Sequence, residues 1–241
     1  MIATKATGFF GKLPAHGDFI FRELPPSFIN VIDRWLQGYV GSSQEQLGES
    51  WLDIYLTSPI WRFAFSAGVV DHNAWVGIVL PSVDRVGRYF PLVVATCVPA
   101  NINPSAFMAL RLNWYQSLEE AALRALDGSL TVDALVEELN DSNPRLVGQY
   151  SRAPQRVQQP TKMVVKTGGG DSTPAAAMPY LLDACLGAAM DSYSIWSTTG
   201  SQVIDPCVFV CKGLPPLDGV AAMLDGQWAQ WHWQQPFAMN E

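Results

Sequence analysis

A chain of 241 residues can bury a sizeable core as one domain, and its 49% hydrophobic content is ordinary for a globular protein. Asp, Glu, Lys and Arg make up only 15% of it, against about 25% in an average soluble domain, and the net charge is −7. An acidic balance argues against nucleic acid, whose binding rests on a basic surface that neutralises phosphates, and no run approaches the roughly 20 apolar residues of a membrane span.

The N-terminus, MIATKATGFFGKLPAHGDF, has no apolar core of a secretory signal before Lys12. Four scattered cysteines, Cys97, Cys185, Cys207 and Cys211, fit a reducing cytoplasm better than a disulfide framework. Pro25 and Pro26 lead into a helix whose apolar residues Phe28, Val31, Ile32, Trp35, Leu36 and Tyr39 recur at helical spacing, giving one core-facing stripe. A short apolar segment, 51–56, precedes Pro59. Residues 61–70 and 74–80 read as strands joined across a VDHNA turn, and 90–98 continues them into a meander.

Between the last two strands lies PSVDRVGRYFPL, residues 81–92, where Asp84, Arg85 and Arg88 fall within five positions of a chain poor in charge. Pro81 fixes φ and Gly87 permits a positive one, so the connection reads as a shaped loop. Residues 12–18, KLPAHGD, form a second polar insertion, and Lys12 to Asp18 are expected to pack against the charged loop, because opposite charges are rarely left unpaired in such surroundings.

Pro104 opens a pattern read as one long helix to about Leu126, with Phe107, Leu110, Leu112, Trp114, Leu118, Ala122, Leu123 and Leu126 apolar. Thr131 caps another, with Leu135, Val136 and Leu139 inward. Residues 142–166 hold five bases and no acid, and the Pro- and Gln-rich stretch near 142–162 reads as a mobile basic connector within a single domain spanning 1–241. A short strand at 162–167, a helix at 175–190 and strands at 194–197 and 206–212 follow. The strand–helix–strand rhythm suggests crossovers, and so an α/β fold: a layered α/β/α sandwich with a mixed β-sheet.

Catalytic motifs are weak. His16, Ser82 and Asp84 could compose a triad, but no G-x-S-x-G elbow surrounds Ser82. A small hydrolase or ligand sensor at this loop is the alternative reading. Cys207 and Cys211 lack further ligands to make a metal site, and TGGGD at 167–171 lacks the lysine of a phosphate loop, so no metal or cofactor is expected. Trp228, Trp231 and Trp233, in QWAQWHW, cannot all be buried on one face of a helix or strand, which makes them interface candidates.

Three segments, GFFGKLPAHGDFIFRELP at 8–25, SPIWRF at 58–63 and PSVDRVGRYFPL at 81–92, resemble the TagF family, also called ImpM, of type VI secretion accessory proteins; SIWSTTG at 194–200 and KGLPP at 212–216 add to it. The resemblance implies an α/β fold and a cytoplasmic, non-enzymatic, post-translational repressor of type VI assembly, with a forkhead-associated scaffold protein as partner. It brings no catalytic residues. Lys12, Asp18, Arg62, Asp84, Arg85 and Arg88 are the polar positions of the matching segments and stand as candidate binding residues.

Overall fold

The computed structural model describes residues 6–142, 144, 162–165 and 174–237. In chain order its elements are strands β1 (Thr7–Gly11) and β2 (Ile20–Arg22), helices α1 (Pro26–Leu47) and α2 (Trp51–Leu56), and strands β3 (Trp61–Phe65), β4 (Ala74–Leu80) and β5 (Leu92–Val98). Helices α3 (Pro104–Leu110), α4 (Leu112–Leu126), α5 (Val132–Asp141) and α6 (Met178–Met190) follow, then strands β6 (Tyr193–Thr198) and β7 (Cys207–Lys212) and a last turn of helix, α7 (Ala222–Asp225).

The strands form one sheet in the order β2-β1-β5-β4-β3-β6-β7. Every pairing is antiparallel, so the sheet is not mixed as the sequence rhythm suggested. The helical excursion after β5 starts and finishes at the same end of the sheet. β6 therefore enters running against both β5 and its neighbour β3, and no parallel crossover arises.

Helices cover both faces, as a layered α/β/α sandwich requires. Strand alternation sorts the side chains: Trp61, Phe63 and Phe65 of β3, Trp75 and Val79 of β4, and Val93, Ala95 and Cys97 of β5 join Phe28, Ile32, Trp35 and Leu36 of α1 in one core. The opposite parity, including Ala64, Val76, Ile78 and Val94, packs under Phe107, Tyr115, Leu118 and Leu135. The predicted α1 stripe is the buried one, with Val31 at its half-buried margin.

The long helix predicted from Pro104 is two helices. At Arg111 the backbone leaves helical geometry (φ −120°, ψ 34°). The break lets α3 lie over β3 and β6 while α4 turns to β4 and α5. Leu110, Leu112 and Leu123, counted among the apolar positions of the predicted helix, are exposed. Asn103 and Thr131 cap α3 and α5 by accepting from the Ala106 and Ala134 amides. Lys162 to Val165 form no strand. The remainder of that expected strand, the TGGGD turn and nearly all of the basic connector near 142–162 lie outside the described residues.

Candidate functional site

The topology itself brings the two polar insertions together. β1 sits beside β5 and antiparallel to it, so the end of β1 at Gly11 adjoins the beginning of β5 at Leu92. The β1–β2 loop and the β4–β5 loop therefore leave the same end of the sheet, as neighbours. Gly11 is required there: its φ is +143°, and a Cβ would stand 2.2 Å from the Pro91 carbonyl oxygen.

A buried carboxylate locks the two loops to each other. Asp84 Oδ1 accepts from the backbone amides of Val86 (3.0 Å) and Arg88 (2.9 Å). Its Oδ2 accepts from Lys12 Nζ (2.8 Å) and Arg88 Nε (2.6 Å). The Asp84 side chain is 0% exposed and that of Lys12 7%. Burial alone would push this carboxyl up, but the Lys12 ammonium, the Arg88 amide and guanidinium and the Val86 amide outweigh it and hold it well below the usual carboxylate range.

Three further bonds complete the join. Ser82 Oγ donates to the Lys12 carbonyl (2.6 Å), the Arg85 amide to the His16 carbonyl (2.9 Å), and Arg88 Nη2 to the Gly17 carbonyl. From the other side, Tyr55 of α2 grips the base of the loop: its hydroxyl donates to the Ser82 carbonyl and accepts from the Ser82 amide, each at 3.0 Å. Asp84 and Gly87 close the tip, the Gly87 amide donating to the Asp84 carbonyl with φ +85° at Gly87.

Of the candidate binding residues, Lys12, Asp18, Asp84, Arg85 and Arg88 thus converge. They differ in burial. Lys12 is the buried cation, whereas Arg85 is exposed and Arg88 is 56% exposed, with Asp18 3.6 Å from its guanidinium. The outer surface adds apolar groups: Val86 is 65% exposed, and Phe19 and Phe21, at and just before β2, stand half out of the protein. Phe19 packs on Phe10 and Phe90, and Lys12 Nζ lies 5.2 Å from its ring centre.

Arg62 is not part of this corner. Alternation along β3 points it away from Trp61 and Phe63, and it grips Glu119 of α4 with two bonds, Nε to Oε1 at 2.6 Å and Nη2 to Oε2 at 2.8 Å, beside the Tyr115 ring. The sequence signal for that partner was Glu119 itself, next to Leu118 on the buried stripe of α4.

The triad arrangement is not assembled. Ser82 Oγ is buried and committed to the Lys12 carbonyl, and both Asp84 oxygens are occupied within the loops. Among the described residues no hydrogen bond joins the His16 ring to either. No group of His, Cys, Asp and Glu suited to a metal ion occurs among them.

The C-terminal tryptophans fold back, and all three are half-buried. Trp228 packs on Trp61 and Phe209, Trp233 on Phe209 and Trp228, while Trp233 Nε1 donates to the Gly219 carbonyl (2.8 Å) and Trp231 Nε1 to Asp225 (2.8 Å). The residue pattern suggested a free ring because it assumed one regular element; turns, with His232 at φ +63°, aim the rings individually.

The fold is a layered antiparallel α/β sandwich whose matching segments meet in a loop surface at one end of the sheet, an architecture that by itself assigns no function. Residues 8–142 match the profile of the TagF N-terminal domain, type VI secretion system-associated. The chain belongs to this family. It is also similar to the crystal structure of PA0076 from Pseudomonas aeruginosa PAO1, with 33% sequence identity, a TM-score of 0.79, and coverage of 98% of this chain and 100% of that one. No curated protein matches the chain. Among the described residues, no helix is long and apolar enough to cross a membrane.

Proposed function

We propose that this type VI secretion-associated chain is a cytoplasmic, non-enzymatic regulator that represses assembly of the secretion machine after translation by binding a forkhead-associated scaffold protein. The observation that carries this reading is the corner at one end of the sheet. Residues from two of the three principal family-like segments, 8–25 and 81–92, are joined there by a buried Asp84 into one fixed surface that presents Arg85, Val86 and Arg88 outward. A fixed surface loses little conformational entropy when a partner docks, which favours binding as the role.

The test is co-purification of the scaffold from the producing bacterium with tagged protein, alongside secretion assayed with the chain deleted and overexpressed. Scaffold recovery, with secretion falling on overexpression and rising on deletion, is expected. No recovery with the wild-type protein overturns the reading.

A further inference from the structure

We infer that the loop tip Arg85–Val86–Gly87–Arg88 is a docking site for an acidic, carboxylate-bearing segment of a partner protein that also carries an apolar anchor, an inference that rests on the binding reading above. Charge complementarity carries it. The corner holds three cations, Lys12, Arg85 and Arg88, and two anions, Asp84 and Asp18, leaving it at +1 in a chain whose net charge is −7. Lys12 is spent on Asp84, and Arg88 divides its donors between Asp84 and the Gly17 carbonyl.

Arg85 is different. Its backbone amide is fixed on His16, its guanidinium lies over Gly17, and among the described residues that guanidinium has no hydrogen-bond or ion-pair partner. A planar fork in that state matches a carboxylate. Val86 stands between the two arginines and Phe19 lies across Lys12, so an apolar side chain of the same segment finds a footing next to the charge. Charge then selects and steers the partner while apolar contact supplies affinity.

The chemistry favours carboxylate over phosphate. A phosphate dianion needs several convergent free donors, whereas here Asp18, fully exposed and 3.6 Å from Arg88, would face it. A singly charged carboxylate on Arg85 meets about half that repulsion.

The probes are three synthetic peptides of one length: alternating Glu and Leu, the same with Gln for Glu, and the Gln peptide with one phosphothreonine. Binding is read from amide shifts in the isotope-labelled protein. The Glu peptide should shift residues 16–19 and 84–89, the Gln peptide should not, and Arg85→Glu should weaken the Glu peptide about tenfold while Lys212→Glu, the same charge change on distant β7, stays within about twofold. Arg85→Lys should recover only part, because the fork is lost. Equal shifts from the Gln peptide, or shifts confined to other residues, overturn the inference. Tighter, Arg85-dependent binding of the phosphothreonine peptide overturns the choice of carboxylate.

The two readings fail separately. Scaffold recovered equally by wild type and Arg85→Glu would sink this site and leave the regulator standing. A Glu peptide seated on the corner with no scaffold recovered by wild type would do the reverse.

Discussion

Arg62 should prove structural, and a thermodynamic cycle with Glu119 decides the point. The Arg62 side chain is 7% exposed and that of Glu119 17%, and two short charge-assisted bonds join them. Glu119→Gln keeps the shape but strands a buried guanidinium. Breaking a fully buried pair costs about 3–5 kcal/mol, and the residual water contact of Glu119 lowers that here to about 2–3 kcal/mol. At about 2–4 °C per kcal/mol for a chain of this size, the melting temperature should fall by about 4–12 °C. Arg62→Leu with Glu119→Leu removes both charges together, so the double variant should lie closer to wild type than the sum of the single changes. Calorimetry on wild type, Arg62→Leu, Glu119→Leu and the double variant gives the coupling, and scaffold co-purification should be equal for those that stay folded. A Glu119→Gln melting point within about 1 °C of wild type, or folded Arg62→Leu that loses the scaffold, would refute the assignment.

Asp84 gives a pH prediction. Its carboxyl titrates well below the usual range when folded, so its stabilisation is fully present above the unfolded value of about 3.9 and is lost as pH falls toward the folded one. Acid unfolding should therefore be steeper for wild type than for Asp84→Asn, and parallel curves would contradict the buried network. Burial, with Asp205 nearby, pushes the Cys207 thiol up to about 11, and burial outweighs the Ser194 hydrogen bond to push Cys211 up to about 11. Cys185 is exposed, so iodoacetamide at pH 8 should modify it first, as peptide mass mapping would show. Gln46 donates to the Leu217 and Asp218 carbonyls and accepts from the Ala221 amide; Gln46→Ala should cost on the order of 1 kcal/mol in denaturant unfolding. An unchanged midpoint would show that water replaces those bonds without loss.

Elements were legible where one periodicity dominated. Phe28, Ile32, Trp35 and Leu36 announced a helix face, and the apolar runs of β4 and β5 announced strands covered on both sides. Strand direction was not legible, because alternation marks a strand without saying which end the chain enters. The break at Arg111 was hidden for a related reason: Leu110 and Leu112 extend the apolar count, and only the position of the strands beneath decides that the helix must turn there. In the site, charge scarcity pointed correctly to the 12–18 and 84–88 pair, since few polar residues had to find few partners. Burial could not be read the same way. Lys12 and Arg88 both serve Asp84, and only the crossing of Gly11 against Pro91 places the lysine underneath and the arginine outside. Tyr55 was missed altogether, because a tyrosine inside a short apolar segment gives no sign that its hydroxyl will clamp a loop 27 positions later.

The division between Lys12 and Arg88 also separates two ways in which this corner could lose a partner. Asp84 has no exposed side-chain surface, so it cannot touch anything that docks. Arg85 bears on the loop only through its backbone amide, so replacing its side chain removes a contact and leaves the scaffold of bonds intact. Loss of binding in Asp84→Asn must therefore pass through the geometry of the tip, and should appear as a changed spectrum of residues 84–88 before any partner is added. Loss in Arg85→Glu should come with an unchanged spectrum. A pair of variants on adjacent positions, one altering the shape of the surface and the other its chemistry, isolates preorganisation from contact at a single loop.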